Sequence, residues 1–396
     1  MFSECTRVAV DSRKVQPGDL FIALKGAHVD GHDFLDEAKA RGAKMAVVSR
    51  KTSSDLEQVV VVDPIAILHE IAKEKLAKRS ARVIAITGSY GKTTTKEFVA
   101  TLLEEKFCVW KTPGNCNSQV GLPLELINGV QESHEILILE MGMDGPGQLD
   151  LLTSIAPPDI AVITCVSLVH AANFDSIEEI AKAKGEILKR AKIRLIPYEW
   201  KGVLNGFTFS LSDPRADFYL EKGSVELPAP HFALNFLIAS LIATLLGMEQ
   251  TEILKRMEHL NLPEKRFQII EKKGVTFVDD AYNACVDSVK AALCSMPKRT
   301  GRRIAVLGSM LELGSFSEAC HLDIAEFALP HLDQLIVFGK EAEVMHEFWK
   351  ENGRSCLFFE SIEELMKSMR KEICEGDVVL IKGSHGTGLW RIVEKW

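Results

Sequence analysis

Basic blocks, long apolar runs, paired cysteines and internal repeats are all missing from this 396-residue sequence. With 47 Lys plus Arg against 55 Asp plus Glu the net charge is −8, and no basic stripe offsets it, so a nucleic-acid partner is disfavoured. No apolar stretch approaches the roughly 20 residues that span a bilayer. Met1-Phe2-Ser3-Glu4-Cys5 lacks the basic and apolar regions of a signal peptide. The expectation is a cytoplasmic chain without membrane insertion. The nine cysteines are scattered and include no C-x-x-C pair, which argues against both a disulfide framework and a structural zinc site. They read as small buried apolar residues.

What is present falls into three segments, in line with roughly 150 residues per domain. Residues 1–78 alternate β-branched runs (Leu20 to Leu24, Met45 to Val48, Val59 to Val62) with helical patterns (Phe34 to Arg41, Ile65 to Lys78), the mark of a small α/β domain. Residues 79–262 carry strand candidates at Val83 to Ile86, Ile136 to Glu140 and Ile160 to Thr164, spaced as a helix-covered parallel sheet requires. The stretch from Lys192 to Ala229 is less regular. A linker at Leu260 to Lys265, containing Pro263, leads into residues 263–396. There Val275 to Val278, Arg303 to Leu307, Gln334 to Phe338, Cys356 to Phe359 and Val378 to Ile381 alternate with helical patterns, implying a doubly wound sheet.

Thr87-Gly88-Ser89-Tyr90-Gly91-Lys92-Thr93-Thr94-Thr95 leaves the first strand of the central segment and enters a helical pattern. Two glycines let the backbone turn and aim N–H groups at one point. The helix N-terminus adds positive potential, Lys92 brings a mobile charge, and the Thr93 hydroxyl can hold Mg²⁺. The spacing is a shortened T-G-x-x-G-K-T-T form of the usual phosphate loop, and an ordinary glycine turn is the alternative.

Functional groups of such a sheet gather at the carboxyl ends of its strands. Glu140 ends one apolar run and His170 follows the next, so either could be a Mg²⁺ ligand or a plain loop residue. Ser176 and Glu179 form a capping-box pattern that starts a helix on which Ile177, Ile180, Ala181, Lys184 and Leu188 share one face. Lys184 therefore points inward and Lys182 outward. An inward ammonium must be paired, for example to Glu140, or be converted by CO₂ to a metal-ligating carbamate, unless its stem carries the charge to the surface. In the third segment Asp279-Asp280-Ala281-Tyr282-Asn283-Ala284 follows a strand. It suits a ribose, a metal or an adenine, or simply a turn. Arg266, just past the linker, is placed to reach a nucleotide.

In order along the chain, these pieces resemble the Mur ligase family, the ATP-dependent amino-acid ligases of peptidoglycan synthesis. The resemblance is carried by Asp11-Ser12-Arg13, Pro17 to Phe21, Lys25-Gly26 and Asp30-Gly31-His32, then by Thr87 to Thr95, Gly114-Asn115-Cys116-Asn117, Gly121-Leu122-Pro123, Glu140-Met141-Gly142, His170 and Ala181 to Glu186. It continues through Asp279 to Ala284, Leu311 to Gly314 with Ser317-Glu318 and His321, and Lys382-Gly383-Ser384.

The resemblance implies three α/β domains: an N-terminal substrate domain, a central P-loop ATPase-like sheet and a C-terminal Rossmann-like domain that binds the amine substrate. Ser12, Arg13, Gly31, His32, Asn115 and Asn117 would bind a UDP-muramoyl peptide. Gly88, Ser89, Tyr90, Gly91, Lys92, Thr93 and Thr94 would cradle ATP, with Asn235 on the adenine side and Arg266, Asp280, Tyr282 and Asn283 closing from the C-terminal domain. Thr93, Glu140, His170 and a carbamylated Lys184 would hold two Mg²⁺ ions. Lys92, Lys184, His170 and Glu140 would be the catalytic set. The expected reaction joins D-alanyl-D-alanine to UDP-N-acetylmuramoyl-tripeptide through an acyl phosphate, in a monomer. A sister ligase adding diaminopimelate or lysine is the nearest alternative, but the string Ser212-Asp213-Pro214-Arg215 lies in the central segment, where that enzyme's recognition motif does not. A non-catalytic nucleotide-binding relative is the other. Cys165 stands where the family has Asn, Ala172 where an acidic residue is usual, and His385 where Arg is usual. The region between Lys189 and His231 is also shorter than in the family.

Overall fold

The computed structural model describes residues 5–396 except 6, 170–172, 222–224, 226, 228, 261 and 299. His170 and Ala172 lie outside the described residues. Strands β1 (Val8–Ala9), β2 (Leu20–Ile22), β3 (Met45–Val48) and β4 (Gln58–Val60) form a parallel sheet in that order. The next seven are β5 (Arg82–Thr87), β6 (Val109–Lys111), β7 (Ile136–Glu140), β8 (Ile160–Ile163), β9 (Ile193–Pro197), β10 (Phe207–Ser210) and β11 (Phe218–Tyr219). Their order in the sheet is β11-β10-β9-β8-β5-β7-β6. The last six are β12 (Gln268–Lys272), β13 (Val275–Asp279), β14 (Arg303–Gly308), β15 (Gln334–Phe338), β16 (Cys356–Phe359) and β17 (Val378–Lys382), ordered β12-β13-β17-β14-β15-β16. All their pairings are parallel except β12 with β13.

By density of contacts the chain divides into two units, one of residues 1–86, 103–161 and 186–193, the other of residues 87–102, 162–185 and 194–396. In the first, β7 is buried along its whole length. A parallel strand covered on both faces needs such an unbroken apolar run, which Ile136 to Leu139 supplies. The helix Pro64–Ala77 starts where Asp63 accepts from the Ile65 N–H and Pro64 occupies the first turn, which sacrifices no helical hydrogen bond. In the second unit Phe277, Ile304, Val306, Ile336, Val379, Ile381, Leu389 and Ile392 form one cluster that the exposures put at 0 % throughout. Each such side chain contributes about 1.5–3 kcal/mol by leaving water.

The structure adds strands that the sequence reading does not name, among them the short β1 and β6. The stretch beyond Lys192 contains three strands, β9 to β11, and their brevity and Pro197 hide the alternation that would reveal them. β12 also escapes the sequence pattern, because Glu271 and Lys272 give it the look of a loop. It is the edge strand, where one face meets water.

Candidate functional site

In the second unit the phosphate loop is held from below by the segment after β8. Ser89 N–H donates to Cys165 O at 3.0 Å, the Ser89 hydroxyl to Ser167 O at 2.9 Å, and Ser167 N–H returns to the Ser89 hydroxyl at 2.8 Å. Thr164 Oγ1 donates to Tyr90 O at 2.5 Å, and Cys165 Sγ lies 3.3 Å from both Tyr90 N and Tyr90 O. The thiol at position 165 thus makes an accepting and a donating contact with one residue of the loop. Burial pushes the Cys165 thiol up to about 12 and the Tyr90 phenol well above its usual range, so both stay neutral.

Gly88 and Gly91 have φ of +152° and +80°. A Cβ at Gly88 would sit 1.9 Å from Thr164 Oγ1, and one at Gly91 would sit 2.7 Å from Asn235 Nδ2. Only glycine fits either place. The helix Lys92–Leu103 starts immediately, with Thr95 N–H closing on Gly91 O at 2.8 Å. Its first-turn N–H groups and dipole make an anion seat. Lys92 Nζ rests on Gly88 O at 2.7 Å. The buried Asn235, on the helix Ala233–Leu245, donates through Nδ2 to Gly91 O at 3.1 Å and to Thr95 Oγ1 at 2.9 Å. Its amide nitrogen therefore braces the loop.

Arg266 reaches this loop, its Nη2 donating to Thr93 Oγ1 at 3.2 Å while the guanidinium lies 3.9 Å from the centre of the Tyr282 ring. Its buried Nε has no hydrogen-bond partner among the described residues. A donor left so in a basic loop suits an oxyanion. Asp280 accepts Phe267 N–H at Oδ1 (3.2 Å) and Lys382 Nζ at Oδ2 (2.5 Å), and Lys382 also reaches Asn283 O at 3.0 Å. Lys382 was singled out in the sequence only as part of a motif, and no spacing rule could have paired it with Asp280, 102 positions away. The neighbouring Asp279 is pushed up to about 6, chiefly by burial.

Lys184 sits on the helix Ile177–Gly185 at 2 % exposure, whereas Lys182 is exposed, as the spacing predicts. Ser176 accepts the Glu179 N–H at 3.3 Å, but the Glu179 carboxylate closes on Asp175 N–H at 3.0 Å, one residue before the expected partner.

In the first unit Glu140, 2 % exposed, ends β7 in register with Ile86 of β5. Asn117 Nδ2 donates to its Oε1 at 2.8 Å, and Gly142 N–H donates to Asn117 O at 2.9 Å. A Cβ on Gly142 would meet Asn117 Oδ1 at 2.8 Å, which explains Glu-Met-Gly at this strand end. Asn115 is exposed in the same loop. Ser12 donates to Glu37 Oε2 at 2.7 Å, and Arg13 projects into solvent with its guanidinium forked on Asp11 at 2.9 Å for both bonds. His32 is buried with Nδ1 on Asp30 Oδ1 at 2.6 Å and Nε2 accepting Ser49 N–H at 2.9 Å. Both its ring nitrogens are engaged, so it fixes the turn that carries Gly31. There a Cβ would lie 2.7 Å from Leu24 O. The His32 backbone and ring hydrogen bonds hold the Asp30 carboxyl far below the usual range.

The Thr93 hydroxyl and the Glu140 carboxylate are each hard oxygen donors of the kind that Mg²⁺ prefers. Among the described residues no group of three or more His, Cys, Asp and Glu is arranged to hold a metal ion.

Three sequence profiles match in succession: the Mur ligase family catalytic domain over residues 4–87, the Mur ligase middle domain over 86–201 and the Mur ligase glutamate ligase domain over 265–385. The chain belongs to the Mur ligase family. Among its relatives is the UDP-N-acetylmuramoyl-tripeptide–D-alanyl-D-alanine ligase of Bacillus subtilis, 31 % identical over 98 % of this chain and 92 % of that protein. The ligase of the same name from Escherichia coli is likewise 31 % identical over 98 % and 92 %. The crystal structure of the MurF ligase from Thermotoga maritima in complex with ADP is 33 % identical and superposes with a TM-score of 0.85 over 98 % of this chain and 96 % of that one.

Proposed function

We propose that this chain is an ATP-dependent, ADP-forming ligase that joins D-alanyl-D-alanine to UDP-N-acetylmuramoyl-tripeptide. The observation that carries the reading is the extent of the likeness. It runs through 98 % of the chain, including the C-terminal segment where the amine substrate is expected. ATP use is supported by the ADP complex of the Thermotoga maritima ligase and by the cradle of Gly88 and Gly91.

In the proposed reaction the terminal carboxylate of the tripeptide attacks the γ-phosphorus of ATP, forming an acyl phosphate and releasing ADP. The amine of D-alanyl-D-alanine then attacks the acyl carbon, and inorganic phosphate leaves as the tetrahedral adduct collapses and the nitrogen loses its proton. The protein's task is to position and to neutralise. Residues Gly88 to Thr94 hold the phosphates through N–H groups, and Lys92 leaves Gly88 O to follow the β- and γ-oxygens. Arg266, whose Nε has no hydrogen-bond partner among the described residues, meets the γ-phosphate. Asn235 keeps the loop closed from the adenine side, and Asp280, Tyr282 and Asn283 line the nucleotide. Thr93, Glu140 and His170 would hold Mg²⁺, which when bound offsets charge on the phosphoryl oxygens. Lys184, as a carbamate, would present an oxygen to a second Mg²⁺. Ser12, Arg13, the Gly31 turn set by His32, Asn115 and Asn117 receive the UDP-muramoyl peptide.

Incubating the purified chain with ATP, Mg²⁺, UDP-N-acetylmuramoyl-tripeptide and D-alanyl-D-alanine tests the reading by mass spectrometry of the nucleotide-sugar. The expected product is the tripeptide substrate enlarged by one condensed dipeptide. Exclusive capture of a single amino acid from a mixture would instead assign the chain to the sister reaction.

A further inference from the structure

Arg266 is flanked by two residues in left-handed backbone, Lys265 at φ +58° and Phe267 at φ +53°. Neither is a glycine, and an aromatic residue there is held only when its surroundings over-determine it. Those surroundings are visible. The Phe267 ring, 2 % exposed, packs edge-on against His231 (centroids 4.7 Å apart) and Phe232 (6.3 Å), while its N–H is tied to Asp280. Lys265 is held on its other side: its N–H donates to Gln268 Oε1 at 3.0 Å, its O accepts Tyr282 N–H at 3.2 Å, and its Nζ bonds Glu394 at 2.9 Å over the Trp390 ring.

Between these anchors the chain turns back on itself, and the Arg266 side chain emerges across Tyr282 toward Thr93. His231 and Phe232 lead directly into the helix whose Asn235 braces Gly91. The pocket for Phe267 and the brace of the phosphate loop are thus parts of one rigid element, and the reach of Arg266 to Thr93 is measured from it. We infer that Phe267 is a positioning residue that aims Arg266 at the phosphate loop. This rests on the reading above that Arg266 meets the γ-phosphate.

The readout is the ratio of dissociation constants for ADP and a non-hydrolysable ATP analogue, measured by calorimetry with Mg²⁺. It reports recognition of the γ-phosphate and needs no turnover. Arg266→Ala should reduce the ratio by about tenfold or more, the worth of a charge-assisted contact. Phe267→Ala should reduce it comparably, and the double variant should be no worse than either alone, since the two act as one unit. Phe267→Leu keeps the buried volume but not the ring contacts. It should fall between, and it decides the matter if the alanine variant does not fold. A ratio that drops in Arg266→Ala but stays at the wild-type value in both Phe267 variants overturns the inference alone. An unchanged ratio in Arg266→Ala overturns the γ-phosphate contact itself, and the inference with it.

Discussion

At Gly91 a single methyl group would meet Asn235 Nδ2 at 2.7 Å and force a left-handed backbone on an L-residue. Gly91→Ala should therefore weaken ADP binding by about tenfold or more, since strain of about 1–3 kcal/mol falls on the loop itself. Calorimetry with ADP checks this, and an unchanged affinity would mean that the loop does not hold phosphate. Lys184 carries a different prediction. Lys184→Ala should nearly abolish ligation, and added bicarbonate should not restore it, because the amine that would take up CO₂ is gone. Substantial residual activity would remove the carbamate from the mechanism. The inward face of Lys184 was legible in the sequence because helical spacing sets it. The bracing by Thr164, Cys165 and Ser167 was not, because residues 74 to 78 positions from the loop meet it only through the sheet.

Two elements near the nucleotide side carry titrations of opposite sign. His231, just before the helix Ala233–Leu245, is lowered from 6.5 to about 4 by burial, so its contribution to stability is present above pH 6.5 and is lost as pH falls through about 4. Asp279, at the end of β13, is raised from 3.8 to about 6, mainly by burial, so its contribution is present below pH 3.8 and is lost as pH rises through about 6. In the wild type the slopes largely cancel. Asp279→Asn keeps an acceptor for Ala281 N–H and removes one of them. The stability of that variant should therefore climb relative to wild type by about 3 kcal/mol as pH rises across this window. Urea titrations at several pH values measure it, and parallel pH profiles would contradict the burial argument. The buried strands β7 and β17 were plain in the sequence, since each opens on four consecutive apolar residues. The strands β9 to β11 and the charged edge strand β12 were not, because Arg194 and Pro197 interrupt β9, β10 and β11 have only four and two residues, and Glu271 and Lys272 mask β12.

Over the whole molecule the three-part order of motifs was legible because each motif is local: a loop after a strand, a carboxylate at a strand end, a lysine on a helix. What the sequence could not show is how Lys382 and Phe267 hold Asp280, or that Arg266 lies between two strained residues, since these depend on packing between distant segments. Among the described residues no helix is long and apolar enough to cross a membrane. The central claim concerns which amine the chain accepts. The most direct test is phosphate release from ATP in the presence of UDP-N-acetylmuramoyl-tripeptide, with D-alanyl-D-alanine, with diaminopimelate and with no amine. The account predicts sustained release with the dipeptide and only background in the other two. Release driven by diaminopimelate, or none with any amine from a chain that binds ATP, would contradict it.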